Sequence, residues 1–260
     1  MKTPGRTRAP RGDPSSVLLS EEDGVRMLHL GGEAIQSAMR VDAPHVLGLE
    51  YTRCMLTPLL FRPAPRSLLL IGLGGGSQAK FLHRHLPASQ LTVVEINAQV
   101  VAAARSFFFL PKNGRRFRVI VDDGARHVTP TSARHDLILL DGFENYRQAP
   151  TLTSPAFYGH LRDALTGTGI LAINFMGNDR HLRSYVNRLD AVFDGRLLAL
   201  RARGEGNVVV LGFRRVPVIT DERAMMKRAE RLERRFNLPF RRYLSSLRPV
   251  KHFLRPARGT

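Results

Sequence analysis

Short aliphatic runs alternate with segments predicted to be helical through the middle of this chain. Apolar runs predict β-strands at residues 67–72, 91–96, 117–121, 136–141 and 169–175, and helices are predicted at residues 77–86, 98–109, 154–165 and 180–193. Nearly continuous apolar strands that alternate with helices are typical of a parallel sheet covered on both faces. The sequence therefore predicts an α/β fold.

The last two apolar runs are arranged differently. Residues 196–201 (RLLALR) and 207–213 (NVVVLGF) are separated by a short segment containing Gly204 and Gly206, which predicts an antiparallel hairpin. Five parallel strands closed by a hairpin are the layout of the class I methyltransferase-type Rossmann fold. We assign this Rossmann-type domain to residues 51–216.

The sequences on either side of this domain differ from it in composition. Residues 1–16 are rich in Pro, Gly and Arg and are predicted to be a disordered basic tail. Residues 17–50 are predicted to form a small β-rich segment. Residues 217–260 are predicted to be a basic helical extension, with an amphipathic helix at residues 221–236.

The formal net charge of +18 is concentrated at the two ends, with +3 in residues 1–16 and +10 in residues 214–260. Basic ends can bind RNA, DNA or an anionic surface, but a solvated helix face with a disordered tail explains the same pattern and is favoured. There is a single cysteine, Cys54, and no apolar run approaches the ~20 residues of a membrane span. We expect a cytoplasmic protein that makes no membrane contact.

A glycine loop, Gly72-Leu73-Gly74-Gly75-Gly76, follows the first predicted parallel strand. In open α/β sheets ligands bind beyond the carboxyl ends of the strands, and glycine permits positive φ and close backbone approach. The loop is not a Walker loop, because no Gly-Lys-Ser/Thr follows it. Its GxGxG pattern is more usual for adenosyl-sulfonium sites than for dinucleotide sites, although a tight turn without a ligand is an alternative.

Three acidic residues end the next three strands. Glu95 lies nineteen residues after Gly76 and is placed to accept hydrogen bonds from ribose hydroxyls. Asp123 is placed to accept from an adenine amino group, and Asp141 ends the fourth strand. Each acid alone is equally well explained as an N-cap or turn residue. Three of them at consecutive strand ends beside a glycine loop favour a nucleoside site.

These motifs are part of a longer pattern. Further segments of it are Ile35-Gln36, Tyr51, Pro65-Arg66, VVEIN, VDDGARHV, LLDGFEN and SPAFYGHL. With the glycine loop, they make the chain resemble the polyamine aminopropyltransferases, the spermidine synthase family, from roughly residue 25 to residue 213.

The resemblance implies a transferase that moves an aminopropyl group from decarboxylated S-adenosylmethionine to a polyamine acceptor, without a metal. Asp141 would deprotonate or orient the attacking amine, and Glu144 stands where the family has a second aspartate. A homodimer is a further expectation. The residues expected to bind the donor are Gln36, Tyr51, Gly72, Gly74, Gly76, Glu95, Asp123 and Gly124.

Two positions depart from the family's pattern. Gly75 stands where the family usually has an aspartate that binds the donor's amino group, and Arg53 replaces a glutamate two residues after Tyr51. Both changes remove negative charge, so two alternatives stay open. One is an S-adenosylmethionine-dependent methyltransferase in which Arg53 binds the donor carboxylate. The other is a non-catalytic protein of the same fold that binds RNA through its basic ends, which is not favoured because no platform of aromatic and basic residues is visible.

Overall fold

The computed structural model describes residues 16–31, 35–129, 133–144, 147–204, 206–217 and 221–253. The predicted disordered tail, apart from Ser16, lies outside the described residues. Within the described ranges, no helix is long and apolar enough to cross a membrane.

The described part of the chain begins with a small antiparallel sheet of three strands, β1 (Val17–Glu22), β2 (Val25–Leu30) and β3 (Ile35–Arg40). Leu28 and Met39 are buried in a small cluster with Phe108. The Gly75 N–H donates to Ser37 Oγ on β3 at 2.8 Å, so this sheet touches the glycine loop. The predicted N-terminal β-rich segment is confirmed.

The main sheet has eight strands. They are β4 (Ser67–Ile71), β5 (Gln90–Glu95), β6 (Phe117–Val121), β7 (His135–Leu140), β10 (Leu165–Met176), β11 (Leu197–Arg201), β12 (Asn207–Phe213) and β13 (Arg248–Pro249), while β8 (Phe143–Glu144) and β9 (Arg147–Gln148) form a separate hairpin. The spatial order is β13-β11-β12-β10-β7-β4-β5-β6. Five neighbouring strands are parallel and the β11–β12 pair is antiparallel, so the predicted Rossmann-type layout is confirmed.

The strand order creates a switch point between β4 and β7. The chain leaves β4 toward β5 and β6 and then returns to place β7 on the opposite side of β4. Crevices of this kind, at the carboxyl ends of the strands, are where open α/β sheets bind ligands.

Helices cover both faces of the sheet. They are α1 (Glu50–Cys54), α2 (Ser77–His85), α3 (Ala98–Phe107), α4 (Gly124–His127), α5 (Pro155–Asp163), α6 (Leu182–Val192), α7 (Glu222–Phe236) and α8 (Phe240–Ser246). One buried cluster packs α2, α3, α7 and α8 against the sheet, and a second packs α5 and α6 against the other face. Residues of β4 alternate between them, with Leu68 and Leu70 in the first cluster and Leu69 and Ile71 in the second.

The basic C-terminal helix predicted at residues 221–236 is confirmed, and it is packed on the core. Asp221 caps α7 by accepting from the backbone N–H of Arg223. Two arginines of α7 hydrogen-bond to main-chain carbonyls elsewhere: Arg228 donates to Leu60 O at 2.9 Å and Arg235 to His85 O at 3.0 Å. Part of the positive charge at this end therefore stabilises the fold.

We predict that Phe236→Ala destabilises the protein by about 3–5 kcal/mol, because it removes a large buried side chain. Phe236 is 3% exposed and its ring lies 6.1 Å from the ring of Phe81. The control is Arg234→Ala, an exposed position on the same helix, which should change stability by no more than about 0.5 kcal/mol. Urea unfolding followed by circular dichroism measures both. Equal midpoints for the two variants would show that α7 does not pack on the core.

Candidate active site

A cavity opens at the carboxyl ends of the parallel strands. Its lining includes the predicted residues Gln36, Tyr51, Gly72, Gly74, Glu95, Asp123, Gly124 and Asp141. Six separate parts of the chain supply them: β3 of the small sheet, α1, the end of β5, and the segments that follow β4, β6 and β7. The sheet thus brings together eight of the ten residues that the sequence indicated.

The other two predicted residues are placed differently. Gly76 is not among the residues that line the cavity, and a Cβ at this position would lie 2.7 Å from Leu110 Cδ1. Gly76 instead supplies the left-handed backbone (φ +71°) from which α2 begins. Glu144 lies in β8, and its side chain is outside the described part of the structure.

The glycines of the loop are required by close packing against the protein itself. Gly72 has φ +94°, and a Cβ there would lie 2.1 Å from the carbonyl oxygen of Asp141. Gly74 has φ +52°, and its Cβ would lie 2.4 Å from Ser37 Oγ. Because β4 and β7 are neighbours and β3 rests on the loop, a side chain at either position would displace the backbone or Ser37.

The space around Gly75 is also too small for a side chain unless its neighbours move. A Cβ at this position would lie 2.9 Å from Phe108 Cδ1 and 3.0 Å from Ser37 Cβ. An aspartate, which the resemblance led us to look for here, does not fit unless Phe108 moves. The loop therefore carries no acidic side chain at this position, and Phe108 and Ser37 leave little space for one.

Glu95 ends β5 and is 9% exposed. Its Oε2 accepts from the backbone N–H of Leu73 at 2.8 Å, and its Oε1 accepts from that of Asn97 at 2.9 Å. Burial raises the pKa of Glu95, while these backbone donors oppose the increase. The carboxylate is thus fixed between the glycine loop and the start of α3, facing the cavity with acceptor oxygens.

Asp123 both caps a helix and lines the cavity. Its Oδ1 caps the short helix α4 by accepting from the N–H of Ala125 at 2.7 Å and that of Arg126 at 3.4 Å. The N-cap interpretation of this acid is therefore correct, and the same residue also lines the cavity. Gly124 next to it lies close against Ile71, since a Cβ would come within 2.5 Å of Ile71 Cγ2.

Asp141 follows β7 directly. Its Oδ1 accepts from Asn174 Nδ2 at 2.9 Å, and the Tyr51 hydroxyl also hydrogen-bonds to the carboxylate. Burial raises the pKa of Asp141 to about 6, against the opposing effect of these two donors. A carboxylate with a pKa close to neutral is well suited to accept a proton at physiological pH.

Arg53 does not reach this cavity. Its guanidinium donates to Leu47 O at 2.7 Å and to Gly48 O at 3.1 Å, and it lies 3.8 Å from the Glu50 carboxylate. The side chain lines a separate cavity between α2 and the end of α7. The alternative in which Arg53 binds a donor carboxylate is therefore not favoured, because the arginine is used to hold the turn that precedes α1.

Several lining residues were missed by the sequence analysis. Ser37, Ile96, Phe143 and Thr151 line the cavity, and Ile96 is 69% exposed despite its apolar side chain. Asn174, which contacts Asp141, is 1% exposed and lies near the carboxyl end of β10. A single amide inside the apolar run GILAINF was the signal that would have identified it, because buried polar groups need hydrogen-bond partners.

We predict that Gly72→Ala destabilises the fold by about 3 kcal/mol or more. The new methyl group would clash with the Asp141 carbonyl, and alanine would be held in a left-handed backbone conformation that it disfavours. Gly24→Ala is the matched control, since Gly24 also has positive φ (+72°) but has open space around it. The control should lose only about 1–2 kcal/mol. Thermal and urea unfolding of both variants test this, and a similar loss in both would mean that β4 and β7 do not approach so closely.

The sequence of the chain was compared with known proteins. Residues 51–185 match the family model of the spermine/spermidine synthase domain. The chain is 41% identical to the polyamine aminopropyltransferase of Chromobacterium violaceum over 89% of each chain, and 38% identical to that of Neisseria meningitidis serogroup A over 95% of this chain and 97% of the relative.

A solved structure agrees with the fold. A spermidine synthase in complex with the transition-state analogue AdoDATO superposes with a TM-score of 0.65 and 18% sequence identity, covering 92% of this chain and 85% of that one. The matches extend over the strands, the glycine loop and the acidic residues that line the cavity. The chain belongs to the spermine/spermidine synthase family.

Proposed function

We propose that this protein is a polyamine aminopropyltransferase that uses decarboxylated S-adenosylmethionine as the donor and a small amine or polyamine as the acceptor. One observation carries the proposal: Glu95, Asp123 and Asp141 line one cavity, and among the described residues that line it there is no Lys, Arg or His. In a chain of net charge +18, a cavity of this kind attracts cations.

The charge of the cavity also distinguishes between the two donors. Decarboxylated S-adenosylmethionine carries a sulfonium and an ammonium but no carboxylate, so it suits a cavity lined by acidic side chains. S-adenosylmethionine carries a carboxylate that needs a cationic partner when it is buried. Arg53, the residue considered for that role, donates to Leu47 O and Gly48 O instead. This favours aminopropyl transfer over methyl transfer.

The nucleoside part of the donor is assigned to the acidic residues after β5 and β6. Glu95 accepts from the ribose hydroxyls, and Asp123, whose Oδ1 caps α4, has its Oδ2 for the adenine amino group. Ile96 provides an apolar surface for the base beside them. Gly72, Gly74, Gln36 and Tyr51 line the same cavity and are also assigned to the donor. A spermidine synthase of the same fold binds the transition-state analogue AdoDATO, which supports a donor of this class.

Asp141 is assigned to the acceptor. The lone pair of a neutral amine attacks the methylene carbon bonded to sulfur, the carbon–sulfur bond breaks, and its electrons remain on sulfur to give methylthioadenosine. The amine proton passes to the Asp141 carboxylate, whose pKa of about 6 keeps it ionised at pH 7. Glu144 is assigned to the second ammonium of the acceptor, as its place in the family's motif suggests.

The RNA-binding alternative is weaker. Arg228, Arg235 and Arg242 of the C-terminal helices are engaged with main-chain carbonyls or with Glu50, so they are only partly available to a polyanion. A homodimer and a cytoplasmic location stay predictions from the sequence.

A product assay tests the proposed function. The purified protein is incubated with either S-adenosylmethionine or its decarboxylated form, together with putrescine, cadaverine, agmatine and spermidine, and products are identified by mass spectrometry. We expect methylthioadenosine and one acceptor extended by an aminopropyl group, with the decarboxylated donor only. Adenosylhomocysteine would identify a methyltransferase instead. If neither product forms, RNA binding and its salt dependence become the next measurement.

The Asp141→Asn variant tests the assigned base. We expect kcat to fall about 10²–10⁴-fold, while the affinity for methylthioadenosine measured by calorimetry changes little. For the wild type, kcat/KM should rise with pH through about 6, because the pKa of Asp141 lies there and only the ionised form accepts a proton. That rise should be absent in the variant.

The control is Asp136→Asn, at the opposite end of β7. Asp136 is buried and pairs with Arg62 at 2.6 Å, so its loss should lower stability without this effect on kcat. Loss of methylthioadenosine binding in Asp141→Asn would contradict the assignment of Asp141 to the acceptor.

A further inference from the structure

Two buried asparagines form a hydrogen-bonded path to the Asp141 carboxylate. Asn207 Nδ2 donates to Asn174 Oδ1 at 3.0 Å, and Asn174 Nδ2 donates to Asp141 Oδ1 at 2.9 Å. Asn174 is 1% exposed and Asn207 is 6% exposed. Asn174 lies near the carboxyl end of β10 and Asn207 begins β12, its antiparallel neighbour, so the path runs along this end of the sheet to the cavity.

We propose that Asn174 and Asn207 are positioning residues for the reaction, which hold the Asp141 carboxylate in the orientation and ionisation state of a proton acceptor. The inference rests on the proposed function, in which Asp141 acts on the acceptor amine.

The direction of the path follows from the chemistry of the amide. An asparagine side chain has a donor end and an acceptor end, and rotation of Asn174 by half a turn would exchange them. The rotated amide would place its oxygen against the Asp141 carboxylate and its NH₂ against the NH₂ of Asn207. Two repulsive contacts would replace two hydrogen bonds. Asn207 therefore fixes the orientation in which Asn174 donates to Asp141.

Asn207 is itself oriented by its surroundings. Its Nδ2 lies 3.6 Å from Met176 Sδ as well as 3.0 Å from Asn174 Oδ1, so both contacts are to acceptors. Met176 and Asn207 are paired across the β10–β12 ladder, which holds the two side chains in register. The pairing of β10 with β12 thus fixes the position of Asn207 at one end of the path, and the Asp141 carboxylate lies at the other end.

The main-chain carbonyl of Asn174 also accepts a hydrogen bond from the segment that follows Asp141. Gln148 Nε2 donates to Asn174 O at 2.6 Å, and Gln148 is 3% exposed. Gln148 lies in β9, shortly before Ala149 and Thr151, which line the cavity. Asn174 thus anchors the segment after Asp141 through its carbonyl and Asp141 itself through its side chain, and the two interactions can be separated by mutation.

The ionised form of Asp141 depends on neutral hydrogen-bond donors, because the other ionisable side chains that line the described part of the cavity are acidic. Tyr51 donates from α1, while Glu95 and Asp123 after β5 and β6 bring like charges to the same cavity. The side chain of Glu144 lies outside the described residues. Among the described lining residues no cation stabilises the ionised form, so Tyr51 and Asn174 oppose the effect of burial on the pKa of Asp141. Without Asn174, a larger fraction of Asp141 would be protonated at pH 7 and unable to accept the amine proton.

The test uses Asn174→Leu and Asn207→Leu in the full chain, with two measurements. The first is the pKa of Asp141 in the free protein, from the ¹³C chemical shift of its labelled carboxyl carbon. The second is the pH dependence of kcat/KM. Loss of a hydrogen bond to a charged group should raise the pKa of Asp141, and the acid limb of the profile with it, by about one pH unit in Asn174→Leu. Asn207→Leu should give a smaller shift in the same direction.

Gln148→Leu is the matched control. It removes a buried hydrogen bond to the same residue, Asn174, but leaves the path to the carboxylate intact. We expect it to lower stability without moving the pKa of Asp141. Should Asn174→Leu fail to fold, Asn174→Ser is the second variant, because it breaks the path while keeping a small polar side chain, and the same upward shift is expected.

The outcomes separate this inference from the proposed function. An unchanged pKa of Asp141 in the Asn174 variants, or an equal shift in Gln148→Leu, would overturn the positioning role even if the wild type transfers aminopropyl groups. A wild type without transferase activity would overturn the proposed function, and with it the catalytic use of the path. The carboxyl titration would then still report whether the asparagines control the ionisation of Asp141.

Discussion

The close approach of β4 to β7 is the contact on which the site depends. Where these strands end, the backbone of Gly72 lies so near the carbonyl of Asp141 that no side chain fits between them. This contact brings the glycine loop and the Asp141 carboxylate together at the switch point of the sheet. Because β3 rests on the same loop through Ser37, the small N-terminal sheet completes the cavity.

The protein separates its charges in space. The chain is strongly basic, yet the described side chains that line its cavity include three acids and no Lys, Arg or His. Some of the arginines near the C-terminus hydrogen-bond to main-chain carbonyls such as Leu60 O and His85 O, where a cation stabilises the fold. The local field of the cavity, rather than the net charge, is what a small cationic substrate experiences after it enters, since bulk charges are screened within about 10 Å at 0.1 M salt.

Strand and helix periodicity was enough to predict the fold, because buried parallel strands and turn glycines leave a clear pattern in the sequence. The positions of Glu95, Asp123 and Asp141 were predictable for the same reason, since they end successive strands. The structure was needed where one residue type has several uses. Arg53 proved to bind the main-chain carbonyls of Leu47 and Gly48, a use that its place in the sequence does not reveal.

The surroundings of Asp141 have to meet two requirements of the proposed reaction. They must stabilise the ionised carboxylate, and they must not repel cationic substrates. A buried carboxylate needs stabilisation to remain ionised, and an adjacent arginine would provide it most strongly. The same arginine would repel a sulfonium donor and an ammonium-bearing acceptor. Donation from Asn174 and Tyr51 stabilises the carboxylate without adding positive charge. Neutral donors from β10 and α1 therefore favour the ionised form of this carboxylate and add no positive charge to the cavity.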